Sequence, residues 1–268
     1  MTTLIIIAIL GVLYLGVRWF EWSNAFKPSK RMDADPSSIG LEFEDVIFYA
    51  EDGCRLHGWW LPHESARGTV IYCHGNAGNI STRLDVCQGL CSLGLNVFIF
   101  DYRGYGKSRG FPTERGLQLD AAAAYEVARA RYEDDDNPPV VIYGASLGGS
   151  VAAYLAGKLP ARGLIIEGGF TSAIDVGERW YPWLPISAIA KYRFDARAHV
   201  ATLDIPKLFS HSNIDAVIPP DLGAELFKAA ANPKRFVPLV GEHGEAGWLD
   251  TPHYLTELRQ FIDTVLPA

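Results

Sequence analysis

The sequence predicts an α/β protein in which a mostly parallel sheet is flanked by helices on both faces. From Phe43 onward, short apolar runs suited to buried strands alternate with segments of helical periodicity, as in parallel sheets covered by helices. The chain has 268 residues, 49% of them hydrophobic, which is enough for one large core. No internal repeat or low-complexity tract interrupts the alternation. We therefore expect one folded domain over residues 27–268.

The first predicted element is an apolar helix that precedes this domain. Leu4–Val17 is an uninterrupted apolar run, which Trp19, Phe20 and Trp22 extend around Arg18. A helix of about 20 apolar residues spans roughly 30 Å, the thickness of the hydrocarbon core of a bilayer, and an arginine near one end can extend its charge toward water. The length and composition of this segment therefore suit a membrane span.

We expect residues 1–26 to form a single-pass anchor in the cell membrane. A cleavable signal peptide would have a cationic start and a small-x-small cleavage site, and the segment shows neither. A core helix is the other alternative, but tryptophans beside an arginine are typical of a membrane interface. Arg18, Lys27, Lys30 and Arg31 follow the span and no charged side chain precedes it. The positive-inside tendency then places the domain in the cytoplasm.

Eight strands and five helices are predicted after the anchor. Val46–Ala50 and Arg55–Leu61 flank the turn Glu51-Asp52-Gly53 and form a hairpin. Six more apolar runs are predicted strands: Thr69–Cys73, Val97–Phe100, Val140–Tyr143, Leu164–Glu167, Lys207–Ser210 and Phe236–Val240. The predicted helices are Thr82–Leu93, Thr113–Arg131, Ser146–Lys158, Pro220–Ala231 and Pro252–Leu266.

A long insertion after the sixth strand interrupts the alternation. Residues 171–199 are rich in aromatic and proline residues and include Trp180, Tyr181 and Trp183. The segment is either a helix that packs on the domain or a lid over a substrate. Long connections at the carboxyl edge of a parallel sheet commonly carry such lids, which favours the lid.

Composition excludes several classes of partner. A net charge of −7 leaves no basic stripe for nucleic acid. The four cysteines form no Cys-x-x-Cys pair and have no metal-site spacing, so we interpret them as reduced, packed thiols. The acidic run at 133–136 is interpreted as a solvated loop rather than a cation site. No motif demands a metal or an organic cofactor.

The segment Gly144-Ala145-Ser146-Leu147-Gly148 is the strongest functional signal. A buried apolar strand leads directly into Gly-x-Ser-x-Gly, and small residues that can begin a helix follow. Small residues on either side of the serine permit the sharp strand-to-helix turn that raises the hydroxyl above the sheet. We therefore expect Ser146 to be a nucleophile.

A serine nucleophile needs a base and an acid, which in this arrangement follow it along the chain in the order acid, then histidine. His243 lies in the loop after the last predicted strand and is the expected base, with His253 as the fallback. Asp215 lies after the penultimate strand and is the expected acid, although a turn aspartate would look the same. Glu167 is the rival acid.

The glycine-rich segment His74-Gly75-Asn76-Ala77-Gly78-Asn79 is expected to supply part of an oxyanion hole. It follows an apolar strand, so its backbone N–H groups can turn toward the serine. We expect the N–H groups of Asn76 and Leu147 to form the hole. A phosphate cradle is the weaker alternative, because the segment has neither a Gly-Lys-Ser/Thr ending nor a Gly-x-Gly-x-x-Gly pattern. His74 is interpreted as a structural donor.

With these motifs in order, the chain resembles the α/β-hydrolase superfamily, and within it the Bem46-like branch of membrane-anchored serine hydrolases, over about residues 43–266. The resemblance rests on the segment at 74–79, on Asp101-Tyr102-Arg103-Gly104-Tyr105-Gly106-Lys107-Ser108, on the Gly-x-Ser-x-Gly segment and on Asp215-Ala216-Val217-Ile218-Pro219. It implies an eight-stranded core and a Ser146–Asp215–His243 triad.

The resemblance also implies hydrolysis of an ester-type bond, without a cofactor, and makes an N-terminal membrane span unsurprising. Together with the lid and the anchor, it favours a small-molecule or lipid acyl ester or thioester as substrate. A serine peptidase and a non-catalytic membrane-tethered binding protein remain the alternatives. Two positions depart from the family pattern: Ser212 stands where His-Gly is usual, and Gly244-Glu245 follow His243 where Asn-Asp is usual. Asp101 is interpreted as a turn-stabilising residue.

Overall fold

The protein is built around one twisted sheet of eight strands. A computed structural model describes residues 1–132, 137–244, 251 and 253–266. The strands of the sheet are β1 (Glu44–Tyr49), β2 (Arg55–Leu61), β3 (Thr69–Cys73), β4 (Asn96–Asp101), β5 (Val140–Ala145), β6 (Gly163–Glu167), β7 (Lys207–Ser212) and β8 (Lys234–Leu239). Their spatial order is β8-β7-β6-β5-β3-β4-β2-β1. β2 alone runs against its two neighbours, and the other pairs are parallel.

Nine helices lie in the described part of the chain. They are α1 (Thr2–Ala25), α2 (Leu84–Cys91), α3 (Glu114–Arg129), α4 (Leu147–Ala156), α5 (Ala173–Trp180), α6 (Ile186–Ile189), α7 (Ala196–Val200), α8 (Pro220–Ala229) and α9 (Tyr254–Val265). α2 and α9 pack on one face of the sheet, and α3, α4, α7 and α8 pack on the other.

Two apolar cores result, one on each face. Successive side chains of a strand point to opposite faces, so on β5 the fully buried Val141 joins the core under α9 while its neighbour Ile142 joins the core under α4. Both faces are covered, which explains why the central strands are continuous apolar runs rather than alternating ones. The predicted fold class is confirmed.

The boundaries differ from the sequence prediction mainly at the edge of the sheet. β8 begins at Lys234, two residues before the predicted start, because Lys234 and Arg235 pair with β7 although their side chains are polar. An edge strand with one solvent-facing side tolerates such residues. The predicted strand at 207–210 continues to Ser212. The acidic run at 133–136 and the predicted start of the last helix, Pro252, lie outside the described residues.

The strand order creates a crevice at the carboxyl edge of the sheet. The chain moves from β3 to β4 on one side and returns to β5 on the other side of β3. The loops that follow β3 and β5 therefore diverge, and ligands of open α/β sheets bind at such a point. The Asn76 segment follows β3 and Ser146 follows β5, so both lie at this crevice.

α1 has an exposed first half and a packed second half. Its 24 residues span about 36 Å. The segment Leu4–Ala25 contains an 18-residue stretch with a mean hydropathy of 2.0 and, among the described residues, is the one helix long and apolar enough to cross a membrane. Immediately after the helix, Phe26 is 1% exposed and packs against Tyr192 and Phe194.

Candidate active site

Ser146 lies on a strained turn between β5 and α4. Its φ and ψ are 53° and −120°, in the left-handed half of the backbone map that non-glycine residues rarely enter. Helix α4 begins directly above the sheet, where a Cβ on Gly148 would lie 2.0 Å from the carbonyl oxygen of Cys73. Only a residue without a side chain fits this approach. The conformation agrees with the strand–turn–helix pattern of the sequence.

The structure brings Ser146, His243 and Asp215 together. His243 Nε2 lies 2.9 Å from Ser146 Oγ, and His243 Nδ1 lies 2.6 Å from Asp215 Oδ2. The three residues come from loops after β5, β7 and β8, which end at the same edge of the sheet. Because an ionised carboxylate only accepts hydrogen bonds, Nδ1 donates to Asp215 and Nε2 is left to accept the proton of Ser146.

Asp215 is held as an ionised carboxylate although it is buried. Burial opposes ionisation and is the largest single influence on its pKa. The hydrogen bond from His243 and those from the N–H groups of Val217 and Ile218, both 2.8 Å from Oδ1, outweigh it and hold the pKa of Asp215 below its ordinary value. The aspartate thus caps its own turn with one oxygen and orients His243 with the other.

His211 lies behind the acid. It is 3% exposed, with Nε2 donating to the carbonyl of Ile218 at 3.0 Å and lying 3.5 Å from Asp215 Oδ2. Burial lowers the pKa of His211, so the imidazole is neutral near pH 7. His211 lies at the end of β7 and contacts the Asp215 turn rather than Ser146, so it supports the position of the acid.

Ser212, one of the departures from the family pattern, links the loops of the acid and the base. Its hydroxyl donates to the carbonyl of Gly241 at 2.5 Å, and Gly241 lies two residues before His243. The same oxygen accepts from Ile214 N at 3.2 Å. Of the second departure, Gly244-Glu245, Gly244 has a φ of 85°, and Glu245 lies outside the described residues.

Gly168 is a residue of the site that sequence reasoning missed. It follows β6, has a φ of 56°, and a Cβ there would lie 3.4 Å from His243 Cε1. A methyl group at 168 would therefore reach van der Waals contact with the His243 ring, and a larger side chain would compete with the ring for space. A Gly-Gly pair directly after a strand, at the same edge as the serine turn, is the signal that identifies it.

The other candidate acid and bases of the sequence, Glu167, His253 and His74, have different surroundings in the structure. Glu167 Oε2 accepts hydrogen bonds from the buried hydroxyls of Tyr143 and Tyr254. His253 is exposed at the start of α9 and makes no capping bond. His74 is fully buried, donates to the carbonyl of Gly75 at 2.7 Å, and burial lowers its pKa to about 4, so it is a neutral structural group.

Asp101 stabilises a turn, as interpreted from the sequence. Its Oδ1 accepts from Ile80 N at 3.0 Å at the start of the segment that leads into α2. A Cβ on Gly106, whose φ is 42°, would lie 1.9 Å from Asp101 Oδ2. The second family motif thus folds against this carboxylate.

Asn76 and Leu147 border the same cavity as Ser146. The loop after β3 passes close to the serine, since a Cβ on Gly75 would lie 3.6 Å from Ser146 Cβ. The carbonyl of Asn76 accepts from Lys27 N at 2.9 Å and from the Tyr105 hydroxyl at 2.8 Å, which fixes this stretch of backbone. Leu147 is the first residue of α4, where N–H groups have no partner within the helix.

The cavity above Ser146 has a volume of about 770 Å³ and a largely apolar lining. We call it the active-site cavity. One wall comes from α1 and includes Val12, Leu13, Gly16, Val17 and Phe20. The opposite wall comes from the insertion at 171–199 and the Asp215 turn: Ala173, Val176, Gly177, Trp180, Tyr181, Leu184, Ile186, Ile189, Ala190, Tyr192, Val217 and Ile218.

The insertion has the position expected of a lid. Trp180 and Tyr181 line the active-site cavity, and the Trp180 indole donates to the carbonyl of Val217 at 3.2 Å. Tyr181 packs edge-on against Phe20 of α1. Trp183 is not among the lining residues; it packs against Tyr181 and is 73% exposed. The end of the insertion, α7, packs into the core through Ala196 and Val200.

Polar contacts fasten α1 to this insertion. Glu21 Oε1 accepts from the N–H groups of Lys191 and Tyr192 at 2.6 and 2.7 Å. Arg18 forms an ion pair with Glu21 at 2.9 Å and donates to the carbonyl of Ile189. The apolar pattern of residues 1–26 predicts an anchor alone and does not indicate this packing; the sequence signal for it is a glutamate between the two tryptophans at 19 and 22.

No group of three or more histidine, cysteine or acidic side chains in the described residues is arranged to hold a metal ion. The four cysteines are free thiols, and Cys73, Cys87 and Cys91 are buried. Burial raises the pKa of the Cys73 thiol to about 12, so it is not a nucleophile at neutral pH.

Comparisons with known proteins identify the family of the chain. The Hydrolase_4 family, described as "Serine aminopeptidase, S33", matches residues 64–192. Protein Rv2307c of Mycobacterium tuberculosis is 36% identical over 264 residues, which cover 96% of this chain and 94% of that protein. Protein bem46 of Schizosaccharomyces pombe is 32% identical over 236 residues, 84% of this chain and 79% of that protein.

A solved structure shows the same fold. The Pyrococcus furiosus esterase Pf2001 superposes with a TM-score of 0.75 at 18% identity, covering 90% of this chain and 98% of the esterase. Identity at this level supports the fold alone, whereas the relatives above share both sequence and extent. The chain therefore belongs to the Bem46-like α/β-hydrolases.

Proposed function

We propose that the protein is a serine hydrolase that cleaves carboxylic ester or thioester bonds of apolar acyl substrates through an acyl-enzyme. The observation that carries the proposal is the continuous hydrogen-bonded series from Ser146 through His243 to Asp215, opening on an apolar cavity. The hydrolase family and the esterase-like fold support the reaction class.

In the first half-reaction, His243 Nε2 takes the proton of Ser146 Oγ as the oxygen attacks the carbonyl carbon. The oxyanion is stabilised by the N–H groups of Asn76 and Leu147, an interaction whose removal typically costs about 10²–10³ in rate. The carbon–oxygen or carbon–sulfur bond breaks, and the leaving alcohol or thiol receives the proton from His243. The acyl group remains on Ser146.

In the second half-reaction, water restores the enzyme. His243 takes a proton from water, and the hydroxide adds to the acyl carbon. The bond to Ser146 Oγ then breaks, Oγ recovers the proton from His243, and the carboxylic acid is released. Asp215 remains ionised throughout and stabilises the imidazolium, consistent with its lowered pKa.

A serine aminopeptidase or amidase is the second candidate, favoured by the description of the matching family. An aminopeptidase needs a carboxylate for the substrate amino group. Among the described residues that line the cavity, Glu21 carries the one carboxylate, and its oxygens are occupied by Arg18 and two backbone N–H groups. This favours a neutral acyl group. Comparing an aminoacyl arylamide with an ester of the same acyl size separates the two; faster amide cleavage would reverse the order.

We also propose that α1 anchors the enzyme in the cell membrane with the hydrolase domain in the cytoplasm. The hydropathy of Leu4–Ala25 and the cationic residues after it support this orientation. Protease added to intact spheroplasts should leave the hydrolase domain uncleaved. Cleavage of the domain while the membrane is intact would overturn the proposed orientation.

The nucleophile is tested by Ser146→Ala, with Ser150→Ala as the matched control one helical turn further on. We expect Ser146→Ala to abolish both p-nitrophenyl ester turnover and fluorophosphonate labelling, while Ser150→Ala keeps both. Thermal unfolding of both variants checks that the fold is retained. Undiminished labelling of Ser146→Ala would overturn the proposal. An equal loss of activity and labelling in Ser146→Ala and Ser150→Ala would also count against it, because Ser146 would then have no special role.

A further inference from the structure

The active-site cavity is elongated along α1. Near the catalytic residues it is bordered by Asn24 and Lys27, and the Asn76 side chain donates to the carbonyl of Asn24 at 3.3 Å. Its lining reaches Val12 and Leu13 at the other end. Since a helix rises 1.5 Å per residue, the distance along α1 from Asn24 to Val12 is about 18 Å. The cavity is therefore a channel that extends well beyond the reacting bond.

The polarity of the channel changes along this length. The end next to Ser146 is bordered by three polar residues, Asn24, Lys27 and Asn76. The far end on the α1 side is entirely apolar: Val12, Leu13, Gly16 and Val17. Between them lie Arg18 and Glu21, paired with each other and with the backbone of the lid. A ligand with a polar carbonyl end and an apolar tail matches this gradient.

The apolar end of the channel lies on the segment that suits a bilayer. Val12, Leu13, Gly16 and Val17 belong to the candidate span Leu4–Ala25 and precede Arg18, its first charged side chain. A tail in this part of the channel would lie at the depth of lipid chains when α1 crosses the membrane. Val12 and Leu13 are 69% and 59% exposed, so the part of the chain that the structure describes leaves this end of the channel open.

We propose that α1 is the wall of an acyl-chain channel, and that the substrate is a membrane-resident ester or thioester with a long acyl chain. Its carbonyl lies at Ser146 and its chain runs along α1 toward Val12. This inference rests on the proposed hydrolase function and adds the substrate class and the side from which substrate arrives. α1 is then part of the substrate site as well as a tether.

Two glycines of α1 provide a matched test. Gly16 lines the channel and Gly11 does not, and a Cβ placed on either would meet no atom within 4 Å. Gly16→Leu and Gly11→Leu therefore make the same chemical change on the same exposed helix, with the same gain in helix propensity and hydropathy. Only Gly16→Leu inserts a side chain into the path of the acyl chain.

The experiment uses the full chain in detergent micelles, with p-nitrophenyl butanoate, octanoate and hexadecanoate as substrates. Fluorophosphonate labelling counts the active sites in each preparation. We expect kcat/KM of the wild type and of Gly11→Leu to rise with chain length. We expect the hexadecanoate-to-butanoate ratio of kcat/KM to fall about tenfold or more in Gly16→Leu, the discrimination typical of a changed apolar pocket, and to keep its wild-type value in Gly11→Leu.

The outcomes separate this inference from the proposed function. A hexadecanoate-to-butanoate ratio that is the same in Gly16→Leu and Gly11→Leu, or a wild type that cleaves only butanoate, overturns the channel while the hydrolase stands. A wild type that cleaves no ester and is not labelled overturns both. A ratio lowered in Gly16→Leu alone supports the channel.

Discussion

The exchange Asp215→Asn tests the geometry of the site most directly. In the wild type, Asp215 Oδ1 accepts from Val217 N and Ile218 N at 2.8 Å, and Oδ2 accepts from His243 Nδ1 at 2.6 Å. An asparagine keeps its carbonyl oxygen on the two backbone donors and turns its NH₂ group toward His243. Because NH₂ can only donate, Nδ1 must become the acceptor and Nε2 must carry the proton. The imidazole then no longer accepts the proton of Ser146, 2.9 Å away.

The expected magnitude follows from this change of tautomer. The corresponding exchange in a serine-protease triad lowers kcat by about 10⁴ while leaving the geometry intact. A factor of about 10⁴ corresponds to roughly 5.4 kcal/mol of transition-state stabilisation. We expect a loss of this order in kcat/KM for a p-nitrophenyl ester, while the variant still folds and unfolds cooperatively because the two turn hydrogen bonds are retained.

Asp221→Asn is the matched control, since this aspartate lies in the first turn of α8 and its side chain, 51% exposed, pairs with Arg179. Activity within about twofold of the wild type is expected for it, because exposed ion pairs contribute little. An Asp215→Asn variant that retained more than a tenth of wild-type kcat/KM would refute the assignment of Asp215 as the acid.

Two further predictions concern the same surroundings. The pKa of Asp215 lies below the ordinary 3.8 in the folded protein, so the stability contributed by its ionised form is present above pH 3.8 and is lost as the pH falls through the folded value. The difference in unfolding free energy between wild type and Asp215→Asn, measured by urea titration, should therefore shrink below pH 3.8. A difference that grows below this pH would contradict the lowered pKa. Gly168→Leu and Gly94→Leu both place a side chain at a positive φ, 56° and 77°, and should each lose about 1–2 kcal/mol of stability. At 168 the Cβ alone already reaches van der Waals contact with the His243 ring, 3.4 Å from Cε1, so a leucine competes with the imidazole for space; at 94 the Cβ meets nothing within 4 Å. We expect kcat/KM to fall in Gly168→Leu alone, and an equal fall in both would show that the contact with the imidazole is unimportant.

Sequence patterns were sufficient where local rules and chain order coincide. Ser146 could be recognised because its turn requires small residues at fixed offsets, and those residues are visible in one stretch of sequence. Asp215 and His243 could be placed at the same edge because parallel strands align their carboxyl ends, so the residues after β7 and β8 must lie near those after β5. The fold followed from the same alternation of strands and helices.

The remaining features depend on contacts between distant segments. Apolar periodicity identifies α1 as a helix but does not indicate whether lipid or protein covers it, so the packing of its second half against residues 171–199 was missed. Gly168 acts through the ring of His243, 75 positions later in the sequence, and Ser212 through the carbonyl of Gly241. β8 begins earlier than the apolar pattern predicts because it is an edge strand, in which polar residues such as Lys234 can also pair.

The junction between α1 and the domain has a mechanical consequence. The helix ends at Ala25, and the next residue, Phe26, is already buried. Lys27 and Pro28 then pair with Ala77 and Gly78, and the N–H group of Lys27 donates to the carbonyl of Asn76. No unpaired stretch of chain therefore separates α1 from the globular body. If α1 crosses a bilayer as proposed, the domain cannot rotate freely above the lipid surface, and the opening above Ser146 is held at one height and one tilt.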